Sequence, residues 1–238
     1  MQNFIADTSG FTGTTVRLEG EEHHHATRSS RVRIGELIGV TDGHGRRVEA
    51  RIETIDSRML TAVIERDVSG AGEPPVEITM ALALIKPARF EMAVEKCTEL
   101  GARQFMPLIA ERCMVDPVRF RLDRLERIIR EAVKQSGRSW IPGICDAVPV
   151  QKLAESTDGR LFTAYRSAEI SMADALQRAG DSRKYVIAVG PEGDFTDEEI
   201  ACLIAGGATL FTLGGLTLRS ETAAITACAY AAKWKNQQ

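Results

Sequence analysis

Hydrophobic and polar positions follow two different patterns along the chain, and the change falls near Gly70. From Val16 to Asp67, apolar and polar residues alternate with a period close to two, which predicts short β-strands. The tetrad Asp-Gly-His-Gly at 42–45 separates two such runs and is typical of a hairpin turn. Five or so short strands with glycine-containing turns predict a small antiparallel barrel for this part of the chain.

Beyond a Gly- and Pro-rich segment at 69–75, continuous apolar runs alternate with stretches of helical periodicity. The run at 78–85 predicts a strand that is covered on both faces. Helices are predicted at 90–100, 116–137, 172–179, 196–205 and 220–235. Asp116-Pro117, and Thr196 with Glu199, are N-terminal cap signals. The alternation predicts a parallel sheet with helices on both faces, so we expect a β domain at 1–72 and an α/β domain at 73–238.

Composition places the chain among globular proteins. It has 238 residues, of which 44% are hydrophobic, and a net charge of −3, which excludes a disordered or fibrous chain. The weakly negative charge gives no overall signal for nucleic-acid binding. No apolar run reaches the roughly 20 residues that span a bilayer. The first residues have no basic segment followed by an apolar one, so we expect no secretory signal. Five widely spaced cysteines without a CxxC motif favour free thiols, so we expect a cytoplasmic protein.

Two glycine-containing loops each follow a predicted strand and precede a predicted helix. They read Gly-Pro-Glu-Gly-Asp-Phe at 190–195 and Leu-Gly-Gly-Leu-Thr-Leu-Arg-Ser-Glu-Thr at 213–222. Ligands of parallel sheets bind beyond the carboxyl ends of the strands, where glycine lets the backbone approach and helix N-termini hold polar groups. For either loop alone, a tight strand-to-helix turn is the simpler explanation. Neither loop has the dinucleotide-binding or P-loop motif, which disfavours both of those enzyme classes.

Three consecutive histidines at 23–25 open the most basic stretch of the first domain. On a strand, His23 and His25 would share one face without a fourth ligand nearby, so we expect no metal site. The stretch continues into Arg28, Arg31 and Arg33, and six arginines and three acidic residues between 23 and 51 give a local net charge of +3. This charge favours an RNA contact. A solvated, arginine-rich surface is the alternative.

Taken together and in order, these motifs resemble the SPOUT class of S-adenosylmethionine-dependent RNA methyltransferases. The closest resemblance is to the bacterial 16S rRNA (uridine-N3) methyltransferase family, RsmE. The stretches that carry it lie at 24–36, 96–113, 131–142, 189–200 and 213–225. The resemblance implies a PUA-like β-barrel followed by a trefoil-knotted α/β domain, and a homodimer that acts on 16S rRNA. Asp194 departs from the family's GPEGG loop, where a second glycine is usual.

The resemblance also implies site residues. S-adenosylmethionine would be held by two groups of loop residues: Gly190, Glu192 and Gly193 in the first, and Leu213, Gly214, Gly215, Leu216, Leu218 and Thr222 in and after the second. For Glu192, hydrogen bonds to nearby backbone N–H groups are the alternative to attraction of the charged cofactor. RNA would be bound by His24, Arg28, Arg31, Arg33 and Arg138. Arg138 follows Gly137, so the alternative is that Gly137 caps a helix and Arg138 interacts with the dipole at the C-terminus of that helix.

Methylation of a uridine at N3 requires that the base be unpaired and that its N3 proton leave. Arg219 keeps its own proton at any relevant pH and could stabilise the uracil anion. Glu221 is either catalytic or a favourable charge in the first turn of a helix. Two other functions remain open: an inactive RNA-binding factor of ribosome assembly, and a SPOUT enzyme that methylates tRNA or 23S rRNA.

Overall fold

The computed structural model of the protein describes residues 1–116, 120–153, 155 and 158–234. The chain divides into two compact units, the first made of residues 1–73 and 130–141 and the second of residues 74–129 and the chain from 142 onward. The chain therefore returns to its first unit after it has begun the second. The expected division into domains at 1–72 and 73–238 therefore leaves residues 130–141 out of the first unit.

The first unit contains a six-stranded sheet in the order β1-β4-β5-β6-β3-β2. Its strands are β1 (Gln2–Ile5), β2 (Phe11–Thr12), β3 (Thr15–Glu19), β4 (Leu37–Thr41), β5 (Arg47–Ile55) and β6 (Met59–Asp67). β1 pairs with β4 in parallel, and the other neighbours are antiparallel. The alternation in β5 buries Val48, Ala50 and Ile52 in the core, as the period of two predicts. The predicted turn at 42–45 joins β4 to β5 and is confirmed.

The segment that carries the three histidines is helical, so the strand assumed for it is wrong. Helix α1 (Gly20–His24) runs into a wider helical turn, His25–Ser29. Two glutamates in the first turn of α1 favour a helix N-terminus, a signal that the strand-like periodicity around them obscures. His23 is buried, with Nε2 3.1 Å from the carbonyl oxygen of Asp56. Among the described residues, no group of potential metal ligands comes together.

A buried ion pair joins the two parts of the first unit, because Glu73 ends residues 1–73 and Arg138 lies in residues 130–141. The Glu73 carboxylate accepts hydrogen bonds from Arg138 Nη2 at 2.7 Å and from the backbone N–H groups of Ser139 and Trp140 at 2.8 and 3.3 Å. Arg138 is 6% exposed. The structure therefore gives Arg138 an internal partner and does not support the RNA contact expected for it. The sequence pattern could not show this partner, because Glu73 is 65 residues away from Arg138.

Glu73→Gln is expected to lower the free energy of unfolding by about 3 kcal/mol, because it leaves the buried Arg138 guanidinium without a counter-charge. Glu65→Gln is the control: it breaks the exposed Arg51–Glu65 pair and should cost less than about 1 kcal/mol. Urea unfolding of both variants measures the difference. Equal losses would show that the Glu73 pair is no more important than a surface pair.

The second unit is built on a parallel sheet in the order β10-β8-β7-β12-β11-β13, with β9 also paired to β8. Its strands are β7 (Glu77–Ala83), β8 (Gln104–Ile109), β9 (Gly143–Ile144), β10 (Val148–Pro149), β11 (Arg160–Ala164), β12 (Lys184–Val189) and β13 (Thr209–Phe211). The parallel pairing that the strand–helix alternation predicts is confirmed. β9 and β10 are two residues long and too short to give a pattern.

The helices after β7 are α2 (Pro87–Glu99), α3 (Leu122–Ser136), α4 (Met172–Arg178), α5 (Asp197–Ala205) and α6 (Ser220–Trp234). The second half of α3 belongs to the first unit. Each corresponds to a predicted helix, although α3 begins later than the cap signal implied. Pro117 and Lys235, which belong to the predicted ends of two helices, lie outside the described residues. No helix in the described part of the chain is long and apolar enough to cross a bilayer.

The chain order reverses beside the central strands β7 and β12. From β7 the chain builds outward through β8 to β10, and it then returns to place β11 and β13 on the other side of β12. Both central strands are almost entirely buried. Because all these strands are parallel, their carboxyl ends meet along one edge, which is where open α/β sheets bind ligands.

Candidate functional site

A cavity of about 320 Å³ opens at the carboxyl ends of β11, β12 and β13. Its walls are three loops, at 164–166, 189–194 and 211–218, together with two residues at the start of α6, Ser220 and Ala223. The two glycine-containing loops that the sequence singled out therefore lie side by side around one space. A volume of this size is typical of small-molecule sites.

Most of the residues expected to hold a cofactor line this cavity. They are Gly190, Glu192, Gly193, Leu213, Gly214, Leu216 and Leu218. Gly215 and Thr222 are exposed and do not line it. Leu216 is 83% exposed, so its side chain offers an apolar surface that a ligand could cover.

Sequence reasoning missed the loop that follows β11. It contributes Ala164, Tyr165 and Arg166 to the cavity wall. Arg166 is the one cationic side chain in the wall as described, where it accompanies the acidic Glu192 and Asp194. Ligands bind beyond the carboxyl ends of parallel strands, and this holds for β11 as well as for β12 and β13. The loop after β11, however, contains no glycine that would draw attention to it.

The 190–195 loop is held by hydrogen bonds within the second unit. Arg112 Nη1 donates to the carbonyl oxygen of Gly193 at 2.7 Å. Asp194 has a φ of +60°, a conformation that aspartate tolerates better than most residues. Its Oδ1 accepts the Phe195 N–H at 2.8 Å. Burial raises the pKa of the Asp194 carboxyl, an effect that the Phe195 N–H and the nearby Arg112 charge oppose.

The capping box predicted at the start of α5 is confirmed. Thr196 Oγ1 accepts the Glu199 N–H at 3.2 Å, and Glu199 Oε2 accepts the Thr196 N–H at 2.9 Å. The other oxygen of Glu199 accepts the Glu111 N–H at 2.8 Å, which ties the helix start to the chain that follows β8. The loop after β12 therefore leads into a fixed helix terminus.

The two residues expected to be catalytic occupy different surroundings. Arg219 is exposed and lies between Leu218 and Ser220, both of which line the cavity. Glu221 is 7% exposed and does not line the cavity. One of its carboxylate oxygens lies 3.7 Å from Arg89 Nε, and the other is buried without a hydrogen-bond partner among the described residues.

The basic stretch of the first unit lies at the surface. His24, Arg28, Arg31 and Arg33 are all exposed. The three guanidinium groups form no ion pair with any residue that the structure describes, unlike Arg51 and Arg66, which pair with glutamates. Three unpaired arginines within six residues form a positive surface that is available to phosphates.

Two family models together match most of the chain. A model of an RNA methyltransferase domain matches residues 72–232, and a model of an RNA methyltransferase PUA domain matches residues 18–65. The first matched region contains every residue of the cavity wall, and the second contains the basic stretch at 24–33.

Individual proteins are similar over nearly the whole chain. Ribosomal RNA small subunit methyltransferase E of Synechocystis is 34% identical over 219 residues, which are 90% of this chain and 72% of that protein. Its namesake in Mycobacterium bovis is 32% identical over 236 residues, 94% and 88% of the two chains. The crystal structure of the Neisseria gonorrhoeae protein of the same name, bound to S-adenosylmethionine, superposes with a TM-score of 0.85 at 28% identity, covering 96% and 95% of the chains.

Proposed function

The chain belongs to the ribosomal RNA small subunit methyltransferase E family, and we propose that it transfers a methyl group from S-adenosylmethionine to N3 of a uridine in 16S rRNA. The observation that carries the proposal is the cavity at the carboxyl ends of β11, β12 and β13, because both family loops line it. The solved relative from Neisseria gonorrhoeae binds the same cofactor on a similar fold.

The residues of the cavity suit S-adenosylmethionine, which supplies a methyl group on a positively charged sulfur. Its ammonium and sulfonium charges match the carboxylates of Glu192 and Asp194, and its carboxylate matches Arg166. Leu216 and Leu218 offer apolar surface for the adenine ring. At Gly214 nothing lies within 4 Å of where a Cβ would stand, so the backbone is open to close approach by a ligand.

Arg166→Met is expected to weaken the binding of S-adenosylhomocysteine about tenfold, because one charge-assisted contact to the ligand's carboxylate is lost. The affinity for 5′-methylthioadenosine, which lacks that carboxylate, should not change. Arg160→Met, at the other end of β11, is the matched control and should alter neither. Calorimetry measures both ligands, and equal losses for the two would remove Arg166 from this role.

Gly214→Val is expected to weaken S-adenosylhomocysteine binding at least tenfold, because a branched residue at φ +117° is strained and fills the open space beside the ligand. Gly207→Val is the control. Gly207 also has a positive φ and open space, and it does not line the cavity. Calorimetry gives the affinities and thermal unfolding gives the strain. Similar affinity losses in both variants would mean that strain alone is responsible.

Chemistry at N3 needs an environment that favours the uridine anion. Arg219, exposed beside the cavity, can donate hydrogen bonds to the uracil carbonyls without giving up its charge. Its exposed position beside the cavity suits contact with a base that RNA brings to the cavity. The exposed Arg28, Arg31 and Arg33 supply phosphate contacts that hold the RNA.

We extend the proposal to the finer features of the family. The β sheet of the first unit closes as a PUA-like barrel, and the second unit carries a trefoil knot at the loops that surround the cavity. The functional form is a homodimer, and the protein works in the cytoplasm, where small ribosomal subunits are made. The last helix, α6, packs against the central strands β7 and β12, although the strand before it, β13, is at the edge of the sheet. This return of the chain to the middle of the sheet supports the knot.

Nucleoside mass spectrometry of 16S rRNA from cells with and without the gene tests the target. Loss of 3-methyluridine from 16S rRNA alone is expected, with return on complementation. Unchanged nucleosides would favour an inactive assembly factor, and a loss from tRNA or 23S rRNA would favour a SPOUT enzyme with another substrate.

A further inference from the structure

Two carboxylates of the candidate site converge on one arginine that sequence reasoning did not single out. Arg89 Nη1 lies 3.3 Å from Glu192 Oε1, and Arg89 Nε lies 3.7 Å from Glu221 Oε1. Glu192 lines the cavity, whereas Arg89 and Glu221 do not. Arg89 is therefore behind the cavity wall, in contact with the loop after β12 and with the first turn of α6.

The helix that carries Arg89 does not explain its presence. Pro87 is the first residue of α2, so Arg89 stands in the first turn, where the helix dipole disfavours a positive charge. That turn contains no acidic residue that would offset the charge. The favourable interactions of Arg89 come instead from Glu192 and Glu221, which are 103 and 132 residues further along the chain.

The two glutamates contact the same guanidinium, so their charges lie close together and Arg89 offsets their repulsion. Like charges at short range repel, and Glu221 is too buried for water to screen its charge. A guanidinium has several donors in a fixed plane and can contact both carboxylates at once. Glu221 lies in the first turn of α6, after the 211–218 loop that forms one cavity wall, and Glu192 belongs to the 189–194 loop that forms another. Arg89 thus connects the two walls from outside.

We propose that Arg89 is a positioning residue for methyl transfer, which fixes the Glu192 loop against the start of α6 so that the cavity is formed for the ligand. This proposal rests on the function proposed above. Arg89 acts through Glu192 and does not touch the ligand. Its removal should therefore weaken ligand binding even when the buried charge of Glu221 is removed as well.

The test uses four variants of the full chain, with S-adenosylhomocysteine as the probe. Arg89→Met should weaken binding about tenfold and lower the melting temperature. Arg89→Lys should retain part of the affinity, because one of the two contacts can still form. Arg89→Met combined with Glu221→Gln should regain the melting temperature but not the affinity. Arg124→Met breaks the exposed pair with Glu91 and serves as the control, with unchanged affinity.

The outcomes separate the claims. If the double variant regains both stability and affinity, Arg89 only neutralises Glu221 and the proposal is overturned. If Arg89→Met binds like the wild type, it is overturned as well. If the wild-type protein itself does not bind S-adenosylhomocysteine, the proposed function fails, and this inference fails with it. Calorimetry and thermal unfolding supply both readouts without an activity assay.

Discussion

Arg219→Ala is expected to lower the rate constant for methyl transfer by about 10² to 10³, the effect of removing one donor that stabilises a developing anion. The fold and the affinity for S-adenosylhomocysteine should not change, because Arg219 is exposed and does not line the cavity. Single-turnover methylation of small ribosomal subunits measures the rate.

RNA affinity, measured on the same variant, decides how the loss is interpreted. A loss of rate that far exceeds the loss of affinity means that Arg219 acts on the uracil in the transition state. Equal losses would reduce Arg219 to a residue that docks the RNA. Arg219→Lys should restore little of the rate, because an ammonium group cannot reproduce the planar fork of a guanidinium.

Replacing Arg28, Arg31 and Arg33 by alanine is expected to weaken binding to small ribosomal subunits about 100-fold at low salt. The slope of log affinity against log salt concentration should fall by about 3, because three phosphate contacts no longer release counterions. Filter binding over a salt series measures both quantities.

The control for this variant is a triple replacement of Arg17, Arg58 and Arg66, which are exposed arginines of the same unit outside the basic stretch. It changes the net charge by the same amount. A similar loss in both variants would show that overall charge, and not this stretch, attracts RNA. The melting temperature of each variant excludes unfolding as the cause.

Sequence reasoning succeeded where the signal is local. The strand predicted at 78–85 and the capping box formed by Thr196 and Glu199 are set by residues within a few positions of one another. The structure contains both, the strand as β7 (Glu77–Ala83). The placement of the 190–195 and 213–222 loops beside one cavity was also within reach, because the carboxyl ends of parallel strands share one edge.

Side-chain contacts could not be predicted where the partner of a residue is distant in the sequence. Arg138 looked like a surface cation at a helix end, yet its partner Glu73 is 65 residues away. Arg89 gave no signal at all, because its two carboxylates are more than 100 residues away. The histidines at 23–25 failed for another reason: the alternating pattern on both sides outweighed the helix signal of two glutamates.

The most direct test of the proposed function is a reaction in vitro. Purified protein, S-adenosylmethionine with an isotopically labelled methyl group, and small ribosomal subunits from cells that lack the gene are combined, and the nucleosides of the rRNA are then analysed by mass spectrometry. We expect the label to appear in 3-methyluridine of 16S rRNA, at one site, with the wild-type protein and only marginally with Arg219→Ala. Label in a different nucleoside, or no label in 16S rRNA, would contradict the proposed function.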